Sequence, residues 1–152
     1  MTAATMTTDF DFDHIRLSDV DDSRQPLDQD VYTLEVNSLA PTTRTINKEG
    51  SEFQGKSVPV LQGSFTVVDH DKYASRKVWG DLWMCFKAGT VGAKKIQDAT
   101  GVLQTDGQSI SDWASQFSTL NPPARIQALV EKLGPEAAKP NRINFYTVKP
   151  VA

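Results

Sequence analysis

Between residues 77 and 87 the chain reads Lys-Val-Trp-Gly-Asp-Leu-Trp-Met-Cys-Phe-Lys. Side chains alternate along a strand, so Lys77, Trp79, Asp81, Trp83, Cys85 and Lys87 would share one face, and Val78, Gly80, Leu82, Met84 and Phe86 the other. The second face reads as a core surface. The first carries two indoles between lysines, which suits a polyanion bearing flat bases: rings stack on the bases and ammonium groups follow the phosphates. The competing reading is a strand buried on both faces, with the lysine stems snorkelling past packed tryptophans. Strand pattern alone favours that second reading.

Tyr73 and Phe53 are further candidates for stacking, and Arg44, Lys48, Lys56, Arg76, Lys77, Lys87, Lys94 and Lys95 for phosphate contact. Covalent chemistry finds less support. The two histidines are His14, in an acidic stretch, and His70, in a turn, so neither Ser nor Cys has an obvious base beside it. Cys85, the single cysteine, can form no intrachain disulfide and reads as a small buried hydrophobe. Asp69/Asp71 and Glu49/Glu52 lie in polar loops without the apolar surroundings that split two carboxyls into acid and base. Asp69, His70 and Asp71 are consecutive in a turn, where side chains seldom converge on one ion. Neither an enzyme nor a metal or cofactor protein is indicated.

The elements that must position these residues follow from periodicity. Residues 31 to 39 alternate Tyr32, Leu34 and Val36 against Thr33, Glu35 and Asn37, the pattern of a half-buried strand. Residues 41 to 57 are polar and aperiodic and predict a long loop or hairpin tip. Val58 to Val68 is a second strand with a bulge or bend at Gln62-Gly63, and Tyr73 to Phe86 returns as a third. Gly89 to Ile96 opens a short helix whose N-terminal amides could receive a small anion, although the phosphate-loop frame is incomplete. Ser109 or Ser111 caps a helix with Ile110, Trp113, Ala114 and Phe117 on its apolar side, where Trp113 belongs to the core. Asn121-Pro122-Pro123 predicts a third helix, with Ile126, Leu129, Val130 and Leu133 as its stripe and Gly134-Pro135 as its end. Asn141 to Lys149 alternates again and predicts a closing strand.

The chain has 152 residues and a net charge of −3, enough for one domain with a real core. Residues 1 to 30 hold eight Asp against Arg16 and Arg24, net −6, which leaves 11 acids and 14 bases, net +3, for the rest. The expected organisation is an acidic flexible arm over residues 1 to 26 and a mildly basic domain over 27 to 152. Such an arm can be a solvated tail, a competitor for a basic groove, or a recruiter of partners. No apolar run reaches the roughly 18 residues of a membrane span, and the polar start lacks the features of a signal peptide. A soluble protein of a reducing compartment is expected, with no membrane partner.

Three segments carry a resemblance: Phe65 to Trp83 (Phe-Thr-Val-Val-Asp-His-Asp-Lys-Tyr-Ala-Ser-Arg-Lys-Val-Trp-Gly-Asp-Leu-Trp), Leu27 to Val36, and Lys139-Pro-Asn-Arg-Ile-Asn-Phe-Tyr. In order and type they resemble small bacteriophage replication and recombination-module proteins, with Ser75 in place of a usual glycine and the acidic arm at the front. The resemblance implies an α+β, mainly β fold: a five-stranded oligonucleotide-binding barrel with a helical insert before the last strand. It implies a non-enzymatic single-stranded-DNA-binding protein in the host cytoplasm, acting with replication or recombination proteins through the acidic arm. A homo-oligomer stays open on the sequence, since the edge strand at 31 to 39 can either pair across a dimer or be covered by the arm. Two other readings stand beside it. One is a phage structural or accessory protein working through protein contacts; the other is a nucleotide or small-anion binder at Gly89 to Lys95.

Overall fold

A computed structural model describes residues 26 to 137 and 139 to 151. The acidic arm, apart from Pro26, lies outside the described residues, as does His14. The described chain runs β1 (Asp30–Thr45), β2 (Ser57–Val68), β3 (Lys77–Trp83), α1 (Lys87–Thr100), α2 (Ile110–Ser115), a 3-10 turn (Gln116–Thr119), β4 (Ala124–Lys132) and β5 (Asn141–Lys149). The five strands make one antiparallel sheet in the order β3-β2-β1-β4-β5. The described chain is therefore mainly β with two short helices. The sheet is open, since no ladder joins β3 to β5, and a closed barrel is not formed.

Alternation explains the core. Tyr32, Leu34 and Val36 of β1, Leu61, Phe65 and Val67 of β2, and Val78 and Leu82 of β3 are buried on one side of the sheet. Ile96 of α1 and Trp113, Ala114 and Phe117 of the α2 region close over them. Trp113 is the core indole that periodicity predicts, and its Nε1–H donates to the Val102 carbonyl at 2.7 Å, which satisfies its one donor.

The segment over 124 to 132 is a strand, not a helix. Ile126, Ala128 and Val130 are buried alternately and pair with Leu34, Tyr32 and Asp30 of β1. Its apolar residues satisfy both periods, and the small Ala128 supplies the alternate position that helical spacing passes over. Pairing with an available strand edge then decides, as tertiary context commonly does. The helical insert consequently precedes the last two strands and not the last alone. Three further expectations shift. β1 runs on to Thr45, because beyond Val36 it pairs with β2 alone and its other edge, free of β4, accepts Pro41. The bulge falls in β1 between Val36 and Ser38 and not at Gln62-Gly63. Finally, β3 is shorter than expected at both ends. Tyr73 precedes it in a turn, while Met84, Cys85 and Phe86 follow it, with Phe86 as the residue before α1.

Asp69-His70-Asp71-Lys72 is a turn, as its polar side chains suggest. His70 Nδ1 accepts the backbone N–H of Lys72 (3.1 Å) and of Tyr73 (3.0 Å), so the imidazole orders the turn. Ser75 holds φ +74°, a left-handed backbone that glycine adopts at no steric cost.

Glycines position the facing edges. Gly63 and Gly80 stand directly opposite each other in the β2–β3 ladder. A Cβ on Gly80 would lie 2.8 Å from the Phe145 ring, and one on Gly92 would lie 2.7 Å from Leu82 and 2.9 Å from Phe145. Phe145 of β5 thus fills the seam between β3 and β5 with a side chain, with Phe65 at 5.9 Å behind it and α1 across the gap. Backbone pairing is replaced there by packing.

Candidate nucleic-acid interface

β3 delivers its residues as alternation demands. Val78, Gly80 and Leu82 are buried, whereas Lys77 and Trp79 are exposed and Asp81 and Trp83 half-buried on the opposite face. Trp79 is 52% exposed, a large apolar area left in water on a short edge strand. It borders two clefts. The first, of about 730 Å³, runs between β3 and β5 and is floored by Leu82, Ile143 and Phe145, with Tyr146 and Arg142 on its far wall. The second, of about 690 Å³, lies on the other side of the same indole, among Arg76, Lys77, Lys139 and Pro140.

The charge balance along the two clefts is positive. Five cationic side chains (Arg44, Arg76, Lys77, Lys139 and Arg142) face two acids, Asp81 and Glu131. Both acids are already engaged: Arg44 Nη1 donates to Asp81 Oδ2 at 2.7 Å, and Arg142 Nε to Glu131 Oε1 at 2.8 Å. Arg76 places its guanidinium 5.7 Å from the centre of the Tyr73 ring. The trough therefore presents an exposed indole, the 55%-exposed phenol ring of Tyr146, and ammonium groups at Lys77 and Lys139. Stacking and charge neutralisation are what this arrangement can do.

Asn141 borders both clefts and is itself a buried clasp. Its Oδ1 accepts from Leu27 N–H at 2.9 Å, while its Nδ2 donates to the carbonyls of Leu27 (3.0 Å) and Glu131 (3.2 Å). The side-chain amide mimics a ladder rung, fixing the start of the described chain to the first residue of β5.

Other predicted residues are placed elsewhere. Trp83 lines the first cleft but packs against Ile46, Val58 and Val60, a small cluster on the outer sheet face. Phe53 packs on that same cluster, edge-on to Phe86 at 5.5 Å, so it supports the β1–β2 tip and does not reach the clefts. Tyr73 is 7% exposed, between His70 (5.3 Å) and Arg76, with its hydroxyl donating to Asp28 Oδ2 at 3.0 Å. It is a core residue, and no base can stack on it. Lys48 and Lys56 are exposed at the β1–β2 tip, and Lys87 is exposed at the first turn of α1. Lys94 pairs with Asp98 at 3.3 Å and borders a separate hollow beside Trp113; Lys95 is half-buried. None of these five lysines lines the Trp79 clefts.

The glycines before α1 serve packing. A Cβ at Gly89 would fall 2.1 Å from the Trp83 carbonyl oxygen, and the Gly89 N–H already donates to Phe86 O at 3.1 Å. This weakens the small-anion reading. Sequence reasoning missed Tyr146, Lys139 and Arg142 as site residues. The outward positions Arg142, Asn144 and Tyr146 on β5 were a usable signal, but their meeting with β3 depends on the order of strands in the sheet. Among the described residues no group of three or more His, Cys, Asp or Glu side chains is set to hold a metal ion, and no helix is long and apolar enough to cross a membrane.

Comparison of the chain with protein-family models, with curated proteins and with solved structures returns no match.

Proposed function

We propose that the protein binds single-stranded DNA without catalysis and largely without regard to sequence, along the trough between β3 and β5. The observation that carries this reading is the half-exposed Trp79 indole standing between two clefts whose cations outnumber their acids. A base on Trp79 and a neighbour toward Tyr146 would stack, and Lys77, Lys139 and Arg142 would meet phosphates. The strand order supports the reading too. An oligonucleotide-binding barrel pairs its strands in the same sequence and adds one closing contact between the third and fifth. Here no ladder joins those two strands and the Phe145 side chain stands between them, while the helices sit between the third and fourth strands, where such barrels carry theirs. A role in phage replication or recombination rests on the three-segment resemblance.

The test is a fluorescence titration with oligo-dT at two salt concentrations. Binding should quench the exposed Trp79 while the buried Trp113 stays silent, and raising salt should weaken it with a slope of about 0.7 per phosphate neutralised. A chain that folds normally yet shows no salt-sensitive binding to any single strand defeats the reading.

The unpaired edges of β3 and β5 favour a second reading, an accessory protein that accepts a partner's extended segment by strand addition. Peptide capture that is insensitive to salt and unaffected by oligo-dT would favour it.

A further inference from the structure

Asp81 sits where phosphate binding alone would not place an acid. It is the next outward residue after Trp79 on β3, about 7 Å along the strand, and a carboxylate there repels phosphates. Both residues line both clefts. From the structure we infer that Asp81 reads the edge of the base stacked on Trp79 and gives the trough a preference for guanine at that one nucleotide. The inference rests on the nucleic-acid reading and deepens it, because a strand otherwise gripped by rings and phosphates is then distinguished by base at a single position.

The acceptor is fixed. Arg44 Nη1 donates to Asp81 Oδ2 at 2.7 Å, and the Asp81 side chain is only 10% exposed, so the carboxylate is held in one orientation at the cleft wall and largely stripped of water. It is also available. Oδ1 has no hydrogen-bond partner among the described residues and is not sealed from the cleft. A donor stands beside it, since Gln62 lies directly opposite Asp81 in the β2–β3 ladder, is exposed and lines the second cleft. Its side-chain amide carries two N–H groups. An ion pair that served only to tie β1 to β3 would need neither the open acceptor nor its place next to the exposed indole.

Base chemistry selects among the possible ligands. The Watson–Crick edge of guanine runs from the O6 acceptor to the N1–H and N2–H donors, so the carboxylate takes two adjacent donors while the Gln62 amide takes O6. Thymine sets a carbonyl on each side of its one N–H, and one of them confronts the carboxylate. Adenine and cytosine offer an amino group beside an unprotonated ring nitrogen, which gives one bond where guanine gives two. Guanine therefore ranks first and thymine last. Hydrogen bonds to a carboxylate are of the stronger, charge-assisted kind.

The experiment titrates the full chain with three strands of equal length: alternating dG and dT, oligo-dT, and the alternating strand with hypoxanthine in place of guanine, which lacks only the N2 amino group. Tryptophan fluorescence reads binding. We expect the guanine strand to bind at least about tenfold tighter than oligo-dT, the size of a good two-bond base contact, with the hypoxanthine strand between them. Asp81→Asn, which keeps the shape and loses the charge and one acceptor, should bring the three strands close together. Equal, salt-sensitive affinity for all three in the unaltered protein overturns the inference and leaves the nucleic-acid reading standing; binding to none of them overturns both. A guanine preference that persists in a folded Asp81→Asn protein overturns the role of Asp81. Should that variant fail to fold, guanine against hypoxanthine on the unaltered protein decides, and equal affinity for those two strands overturns the inference.

Discussion

At the scale of single residues, Trp79 and Asn141 divide the work between ligand contact and structure. Trp79 is exposed and makes little of the core, so Trp79→Ala should change folding stability by no more than about 0.5 kcal/mol. The loss of one stacking platform should weaken oligonucleotide binding by about 1 to 3 kcal/mol, roughly 5- to 150-fold. Urea unfolding beside a binding titration checks both halves. Trp83 is a poor partner for this test, because its indole covers Ile46, Val58 and Val60 and truncation would disturb the β1–β2 tip. Asn141 lies at the other extreme. Asn141→Ala strands the Leu27 N–H and carbonyl and the Glu131 carbonyl, which lose bonds of 2.9, 3.0 and 3.2 Å. A fall in unfolding free energy of about 2 to 4 kcal/mol is expected in urea.

At the scale of elements, β3 was readable from its sequence because one face must be apolar and the other cannot be. Val78, Gly80 and Leu82 are buried as alternation requires, and β5 has the predicted bounds. The segment at 124 to 132 is ambiguous in sequence because Ile126, Leu129, Val130 and Leu133 suit a helix as well as Ile126, Ala128 and Val130 suit a strand. Only the long-range pairing with β1 separates the two. The candidate site was legible on β3 and illegible on β5 for a related reason: Lys139, Arg142 and Tyr146 are more than fifty residues away in sequence and reach Trp79 only through the order of strands. Packing between elements is tightest at Gly80, where a Cβ would meet the Phe145 ring at 2.8 Å. Gly80→Ala should therefore cost about 1 to 3 kcal/mol in urea unfolding, with β5 pushed from β3.

At the scale of the whole molecule, stability should depend on alkaline pH through one buried phenol. Tyr32 is 2% exposed, and its hydroxyl donates to the Asp28 carbonyl at 2.5 Å. Burial first, and then Tyr73, Asp28 and Asp30 as negative neighbours, push its pKa from 10.0 to about 12. The folded protein thus keeps a proton that the unfolded chain has released, so this contribution is fully present below pH 10 and is lost as pH rises toward 12. Two pH units correspond to about 2 to 3 kcal/mol. Urea midpoints measured from pH 9 to pH 12 should fall, and Tyr32→Phe should flatten that decline.

The phenylalanine-filled seam also makes the sheet asymmetric in time. Alternate amide protons of β3 point toward β2 along an unbroken ladder, while those between them point away from it, toward the gap that Phe145 fills. Deuterium should therefore enter β3 with a period of two residues, quickly at the seam-facing amides and slowly at their neighbours. A ligand seated over Trp79 should slow the fast set alone, leaving its outline in the exchange pattern measured by NMR.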